Sequence, residues 1–286
     1  MSRALVLGGG GPVGIAWETG LIAGLAENGV DLARADHILG TSAGAFVGSQ
    51  IAMGRSAVKM ADAMLAEAER PRPVPTPAPG GPDVLALIGR AREAAARGDP
   101  AAARREIGAF ALAAQTIDEQ SFIRGFGRAL SELQADVWPE RGYACVAVDA
   151  ESGALVVWGA EQKVGLARAV ASSCSVPGVF PPITIGGRRY IDGGVRSATN
   201  ADLAVGHDLV VVVAVRTGLA ELSGSLEAEL KTLRDDGAAV ELVGPDRRSL
   251  EALSVNLLDP AGRPAAARAG LGQGRALAAR LSGLWR

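Results

Sequence analysis

The chain has 286 residues, 48% of them hydrophobic, which is the length and apolar content of one large globular unit with its own core. Its 29 basic and 31 acidic residues leave a formal net charge of −2, which gives no electrostatic argument for a phosphate backbone, so no nucleic-acid partner is expected. Two cysteines, Cys145 and Cys174, are no disulfide framework and read as buried thiols of a reducing compartment. The apolar run Ala4 to Leu7 is too short for a signal-peptide core, and Leu209 to Val215 falls far below the roughly 20 residues of a membrane span. A cytoplasmic chain is expected, with peripheral membrane contact left open.

Ala4 to Leu7 reads as a buried strand ending in glycines, and Ile15 to Glu27 as the helix that follows, with Ile15, Leu21, Ile22 and Leu25 on one face. His37 to Leu39 leads into a second glycine turn and an apolar, small-residue helix from Ala45 to Met53. Two successive strand, turn and helix units predict a parallel sheet with right-handed crossovers. Between Pro71 and Pro82 six prolines bar regular helix and central strand, and Asp83 to Leu112, with Arg90, Arg92, Arg97, Arg104 and Arg105, reads as helices broken near Gly98-Asp99-Pro100. Residues 71–118 are accordingly expected to be a helical insertion or lid within a single domain spanning 1–286, the alternative being a solvated excursion with no part in the site. From Tyr143 the sheet resumes, with strands at Ala144 to Val148, Leu155 to Trp158, Leu209 to Val215 and Val240 to Val243 and a helix at Val164 to Ser172. A hairpin from Ile183 to Ile191, turning at Gly186-Gly187, delivers Asp192. Pro264 to Trp285 reads as a helix weakened by Gly270, Gly272 and Gly274; its arginines Arg268, Arg275 and Arg280 leave a membrane surface open, with packing on the sheet the commoner outcome.

Three glycine-rich turns carry the chemistry. Gly9, Gly11 and Gly14 satisfy G-x-G-x-x-G between a strand and a helix, the form of a dinucleotide loop. A dinucleotide needs an acidic residue at the end of the second strand, yet Asp31 and Asp36 both precede that strand, which ends in Gly40-Thr41-Ser42. A phosphate-cradling loop is excluded more firmly by Ile15-Ala16, standing where Lys and Ser or Thr would follow the last glycine. What the loop offers is a run of backbone N–H groups at a helix N-terminus. Pro12 has none, so the amides of Gly9, Gly10 and Gly11 are the candidate oxyanion hole. Gly40-Thr41-Ser42-Ala43-Gly44 is G-x-S-x-G, the pattern that presents a serine hydroxyl on a sharp strand-to-helix turn, with helix capping the plainer alternative. Ser42 is therefore the candidate nucleophile. Of the two histidines, His37 precedes the nucleophile, against the Ser, acid, His order of a hydrolase triad, and His207 reads as a strand start with a base role the alternative, so Asp192 of Asp192-Gly193-Gly194 becomes the candidate base. A turn aspartate bonding its own backbone is the competing explanation. Cys174 reads as a small-residue packing position, away from the glycine loop, rather than as a second nucleophile.

In this order, GGGPVG, GTSAG and DGG resemble the patatin-like phospholipase family. Ala171 to Pro182, a small-residue run into a Pro-x-x-Phe-x-Pro stretch, and Asn200 are similar to it as well, so the resemblance covers residues 4 to 205. It implies an α/β fold of three layers, α/β/α, around a mainly parallel central sheet. It further implies a serine acyl hydrolase of the lipid esterase or phospholipase A type. Ser42 would attack a lipid or small ester substrate, Asp192 would activate it, the glycine loop would hold the oxyanion, and Gly14, Gly40, Gly44, Gly193 and Gly194 would shape the motif turns. No metal and no organic cofactor is implied. Many members carry Arg or Lys just before the last glycine of the loop, where this chain has Val13, so that cationic contact is missing. A transacylase using the same acyl-enzyme and a nucleotide-binding protein using the glycine loop remain the alternatives; sequence does not separate hydrolysis from acyl transfer.

Overall fold

A computed structural model describes residues 1–67, 98–130, 136–215, 226–253 and 256–285. The proline run and Arg90, Arg92 and Arg97 of the expected insertion lie outside the described residues. Eight strands form one sheet: β1 (Arg3–Leu7), β2 (His37–Thr41), β3 (Gly142–Asp149), β4 (Leu155–Trp158), β5 (Ile183–Ile185), β6 (Arg188–Asp192), β7 (Leu209–Val213) and β8 (Ala239–Val243). Their order is β5-β6-β3-β2-β1-β7-β8, with β4 also paired to β3. The pairs β1–β2, β1–β7, β2–β3 and β7–β8 are parallel, whereas β4 and the β5–β6 hairpin run antiparallel beside β3.

The sheet lies between two cores, and strand alternation separates them. Leu5, Leu7, Val211 and Val213 join one core with Trp17, Leu21 and Leu166, while Ala4, Val6, Val210 and Val212 join the other with Leu230 and Leu233. Helices therefore cover both faces, giving the three-layer α/β/α arrangement. It also explains why β7, sequence LVVVV, is apolar at every position: a strand covered on both faces has no solvent side to mark with polar residues.

The helices are α1 (Gly11–Ala26), α2 (Ala43–Ala52), α3 (Ala57–Ala66), α4 (Pro100–Ala113), α5 (Glu119–Leu130), α6 (Leu166–Ser173), α7 (Leu226–Asp235), α8 (Arg247–Ala252) and α9 (Arg263–Ser282). Helix α1 starts four residues before the periodicity places it, because Pro12 sits in the first turn, where its missing N–H costs nothing. Asp99 caps α4 by accepting from the Ala102 N–H at 2.9 Å, and Ile107 and Ala111 pack with Val148, Ala150 and Ile191 in a small third core at the β3–β6 side of the sheet. The helix α9 packs chiefly on α1 and not, as expected, on the sheet. Gly20 and Gly24 face Gly270 and Gly274, and a Cβ at any of the four would overlap backbone of the opposite helix. Glycines that lower helix propensity are thus what lets two helices touch. No helix among the described residues is long and apolar enough to cross a membrane.

Candidate active site

Leu7 lies opposite Gly40 in the β1–β2 register, so the turns leaving the two strands meet at one edge of the sheet. This is where an open parallel sheet takes its ligands, outside the carboxyl ends of the strands. The Gly44 N–H donates to the Gly8 carbonyl at 2.9 Å, and a Cβ at Gly44 would overlap the Leu7 carbonyl, so only glycine allows the two turns to dock. Between Gly40 and Gly44, Ser42 adopts φ 53° and ψ −115°. A serine held there carries strain of about 1–3 kcal/mol. Its side chain makes no capping bond to α2, so the hydroxyl is not spent on the helix terminus.

The glycine loop stands beside it. A Cβ at Gly9 would lie 3.4 Å from Ser42 Cβ, in ordinary contact. The expected oxyanion hole needs one correction: the Gly9 N–H donates to the Ala198 carbonyl at 2.7 Å and is not available as a donor. The amides of Gly10 and Gly11 have no acceptor among the described residues, Gly11 taking φ 57° as it opens α1. The Gly14 N–H closes the turn on the Gly10 carbonyl at 2.7 Å. Val13 is fully buried, and its N–H donates to the Leu257 carbonyl at 3.2 Å, which removes an amide that a bound phosphate would use.

Asp192 arrives from the opposite direction, at the end of β6, paired with Ala147 of β3. Only 4% of it is exposed. Oδ1 accepts from the Gly194 N–H at 2.7 Å, so the aspartate does hold its own turn, but Oδ2 is buried with no hydrogen-bond partner among the described residues. Burial pushes the Asp192 carboxyl up to about 7, against the weaker opposing pull of the Ser42 hydroxyl and the Gly194 amide. The Ser42 hydroxyl is near enough to perturb the carboxyl without meeting hydrogen-bond geometry, the loose contact common before substrate tightens a site. Gly193 presses against β3, where a Cβ would overlap the Val146 carbonyl, while Gly194 is the residue whose amide holds Oδ1.

Two residues join these turns. Asn200 Nδ2 donates to the Ser197 carbonyl at 2.8 Å and to Thr41 Oγ1 at 3.1 Å, with the Gly193 carbonyl at 3.3 Å, so it ties the residue before Ser42 to the residue after Asp192. Its Oδ1 accepts from Arg196, which is paired with Asp202. Cys174, read as a small-residue packing position, lies against the nucleophile turn, its thiol donating to the Ser42 carbonyl at 3.1 Å. The run Ser172-Ser173-Cys174-Ser175 was the sequence signal for such a contact, since small polar residues beside a strand can bond backbone. The histidines are elsewhere: His37 and His207 stack at 5.6 Å at the amino-terminal edge of β2 and β7, the edge opposite Ser42. Two open clefts, of about 660 and 640 Å³, border neither Ser42 nor Asp192. One turn beyond Ser42, Phe46 meets Phe126 of α5, which with Phe122 and Phe180 forms a continuous ring cluster.

A family model described as patatin-like phospholipase matches residues 5–205, well over half of the chain. The chain belongs to the patatin-like phospholipase family. Membership supports lipid acyl hydrolysis as its general activity, and all three glycine turns fall inside the matched span. Among solved structures, VipD from Legionella pneumophila is similar at 15% identity and a TM-score of 0.48, covering 98% of this chain and 67% of that one. The type III effector protein ExoU is similar at 16% identity and a TM-score of 0.35, covering 96% of this chain; the chain spans 53% of ExoU's length. No curated protein matches.

Proposed function

We propose that this patatin-like protein is a serine acyl hydrolase that cleaves fatty-acyl esters through a Ser42–Asp192 dyad. The observation that carries the reading is a buried Asp192 carboxyl with one oxygen unbonded among the described residues, close enough for the hydroxyl of Ser42, held in a strained turn, to perturb it. Asp192 takes the proton from Ser42 as Oγ attacks the acyl carbonyl, and the charge that builds on the carbonyl oxygen is held by the Gly10 and Gly11 amides, aided by the positive end of α1. Collapse expels the alcohol, which takes the proton back from Asp192 and leaves an acyl-enzyme. Water then attacks the ester by the same route in reverse order, with Asp192 again the base. An aspartate near neutrality suits both directions of this proton transfer better than one at its ordinary value. The aromatic cluster starting at Phe46, one turn beyond Ser42, and the exposed Leu258, beside Gly11, favour an apolar acyl chain as substrate.

Treatment with a fluorophosphonate, followed by peptide mass mapping, is expected to place the adduct on Ser42, with no adduct in Ser42→Ala and none in protein unfolded beforehand. A folded protein that leaves Ser42 unlabelled while hydrolysing esters overturns the assignment. Product analysis with and without an added alcohol then measures how the acyl-enzyme partitions between water and an acceptor.

A further inference from the structure

Three consecutive residues, the last of α6 and the two after it, reach both halves of the site. The Ser42 N–H donates to Ser173 Oγ at 3.0 Å, the Cys174 thiol donates to the Ser42 carbonyl at 3.1 Å, and the Asp192 N–H donates to the Ser175 carbonyl at 3.0 Å. All three residues are buried. The segment is itself fixed: the Cys174 N–H closes the last turn of α6 on the Val170 and Ala171 carbonyls at 3.1 Å, and Ser175 Oγ donates to the Pro181 carbonyl at 2.6 Å.

We propose that Ser173 and Cys174 are positioning residues for Ser42, clamping its amide and its carbonyl so that the strained turn holds, with Ser175 fixing the Asp192 backbone from the same segment. The inference rests on the Ser42–Asp192 reading given above. A left-handed serine persists only where its surroundings over-determine it, and the flanking Gly40 and Gly44 permit the turn without imposing it. The two peptide groups of Ser42 are the handles by which a neighbour can impose it, and Ser173 and Cys174 hold one each. Among the described residues, the one other bond on the Ser42 carbonyl is the Phe46 N–H of α2 at 3.2 Å, a helical bond that any residue would make. The thiol suits the task because burial, and then Asp192, raise its pKa well above the ordinary thiol value, which keeps it a protonated donor throughout the working range. Because one rigid segment carries all three contacts, the separation between Ser42 and Asp192 is set by the covalent spacing of Ser173, Cys174 and Ser175.

The test compares Cys174→Ala, Cys174→Ser, Ser173→Ala and Ser42→Ala with wild type in kcat and KM on a soluble chromogenic ester, alongside thermal unfolding. Each alanine variant of the clamp is expected to lose about tenfold in kcat with KM changed less than about twofold, and Cys174→Ser, which keeps a donor, to recover most of the loss. The inference is overturned if folded Cys174→Ala and Ser173→Ala both keep wild-type kcat, or if Cys174→Ser is no better than Cys174→Ala. Should Ser173→Ala fail to fold, the Cys174 pair decides alone. Full turnover by Ser42→Ala overturns the dyad and this inference with it, whereas a dead Ser42→Ala beside unaffected clamp variants overturns this inference only.

Discussion

Asp192 gives its two oxygens different surroundings, one holding the Gly194 amide and one buried with no hydrogen-bond partner among the described residues. Because burial raises this carboxyl to about 7, a rate that needs the ionised base is expected to climb with pH through a single ionisation near that value and to level off above it; a kcat/KM profile flat across that range contradicts the assignment. Stability moves the other way. A carboxyl whose folded pKa exceeds its unfolded value near 4 favours folding fully in acid, and that contribution is lost as pH rises through about 7. Asp192→Asn is therefore expected to be inactive yet more stable than wild type at alkaline pH, by at most about 4 kcal/mol, read from urea denaturation across pH. Glu18 is a second strained carboxyl, fully buried on α1 with neither oxygen bonded among the described residues. The Gly8 amide pulls its pKa down, but that amide already donates to the Val213 carbonyl, and burial wins, holding Glu18 well above the usual carboxylate range. Glu18→Gln is expected to gain on wild type as pH rises above the unfolded carboxylate value, by up to about 1.4 kcal/mol per pH unit until the folded group ionises; parallel stability curves for the two proteins contradict this.

At the scale of elements, the α1–α9 pair shows where propensity misleads. Gly270, Gly272 and Gly274 look alike in sequence, yet Gly270 and Gly274 face α1 and Gly272 faces open space. Gly274→Ala is expected to cost about 1–3 kcal/mol by overpacking the contact, whereas Gly272→Ala is expected to gain about 0.5–1 kcal/mol from helix propensity. Equal effects of the two substitutions on the urea midpoint would mean that the helices do not meet on this face. Between the same helices, Gln273 bonds Trp17, Ser249 and the backbone of Gly244 and Asp246, so α9 also braces the segment that leads from β8 into α8. Helix α5 shows the reverse case. Its Gly125 and Gly127 weaken it in isolation, and its place is decided by Phe122 and Phe126 packing on Phe46 and Phe180.

For the whole molecule, the decisive fact is that the chain brings two distant turns to one edge of one sheet, Ser42 on a parallel strand and Asp192 on an antiparallel one. Asn200 ties the two together, and its loss strips the Ser197 carbonyl of the Nδ2 bond while the Thr41 hydroxyl keeps the Thr199 carbonyl and the Gly193 carbonyl keeps the Arg196 N–H. Asn200→Ala is expected to cost about 1–3 kcal/mol of stability and to lower kcat, measured on the same preparation; unchanged values for both would show that the turns are held without it. The strands, the helices following the first two turns and the three glycine motifs were legible in the sequence because they are local: periodicity and turn chemistry act over a few residues, and each appears where its pattern lies. The occupancy of the Gly9 amide, the approach of Cys174 to Ser42 and the glycine contact of α1 with α9 were not legible, since each joins residues far apart along the chain. Sequence by itself determined which residue types stand at each turn, and with them the family. Only the tertiary structure decided which amides are left to donate, which oxygen of Asp192 is free and how deeply it is buried, because hydrogen-bond satisfaction and desolvation belong to the packed surroundings and not to the residue.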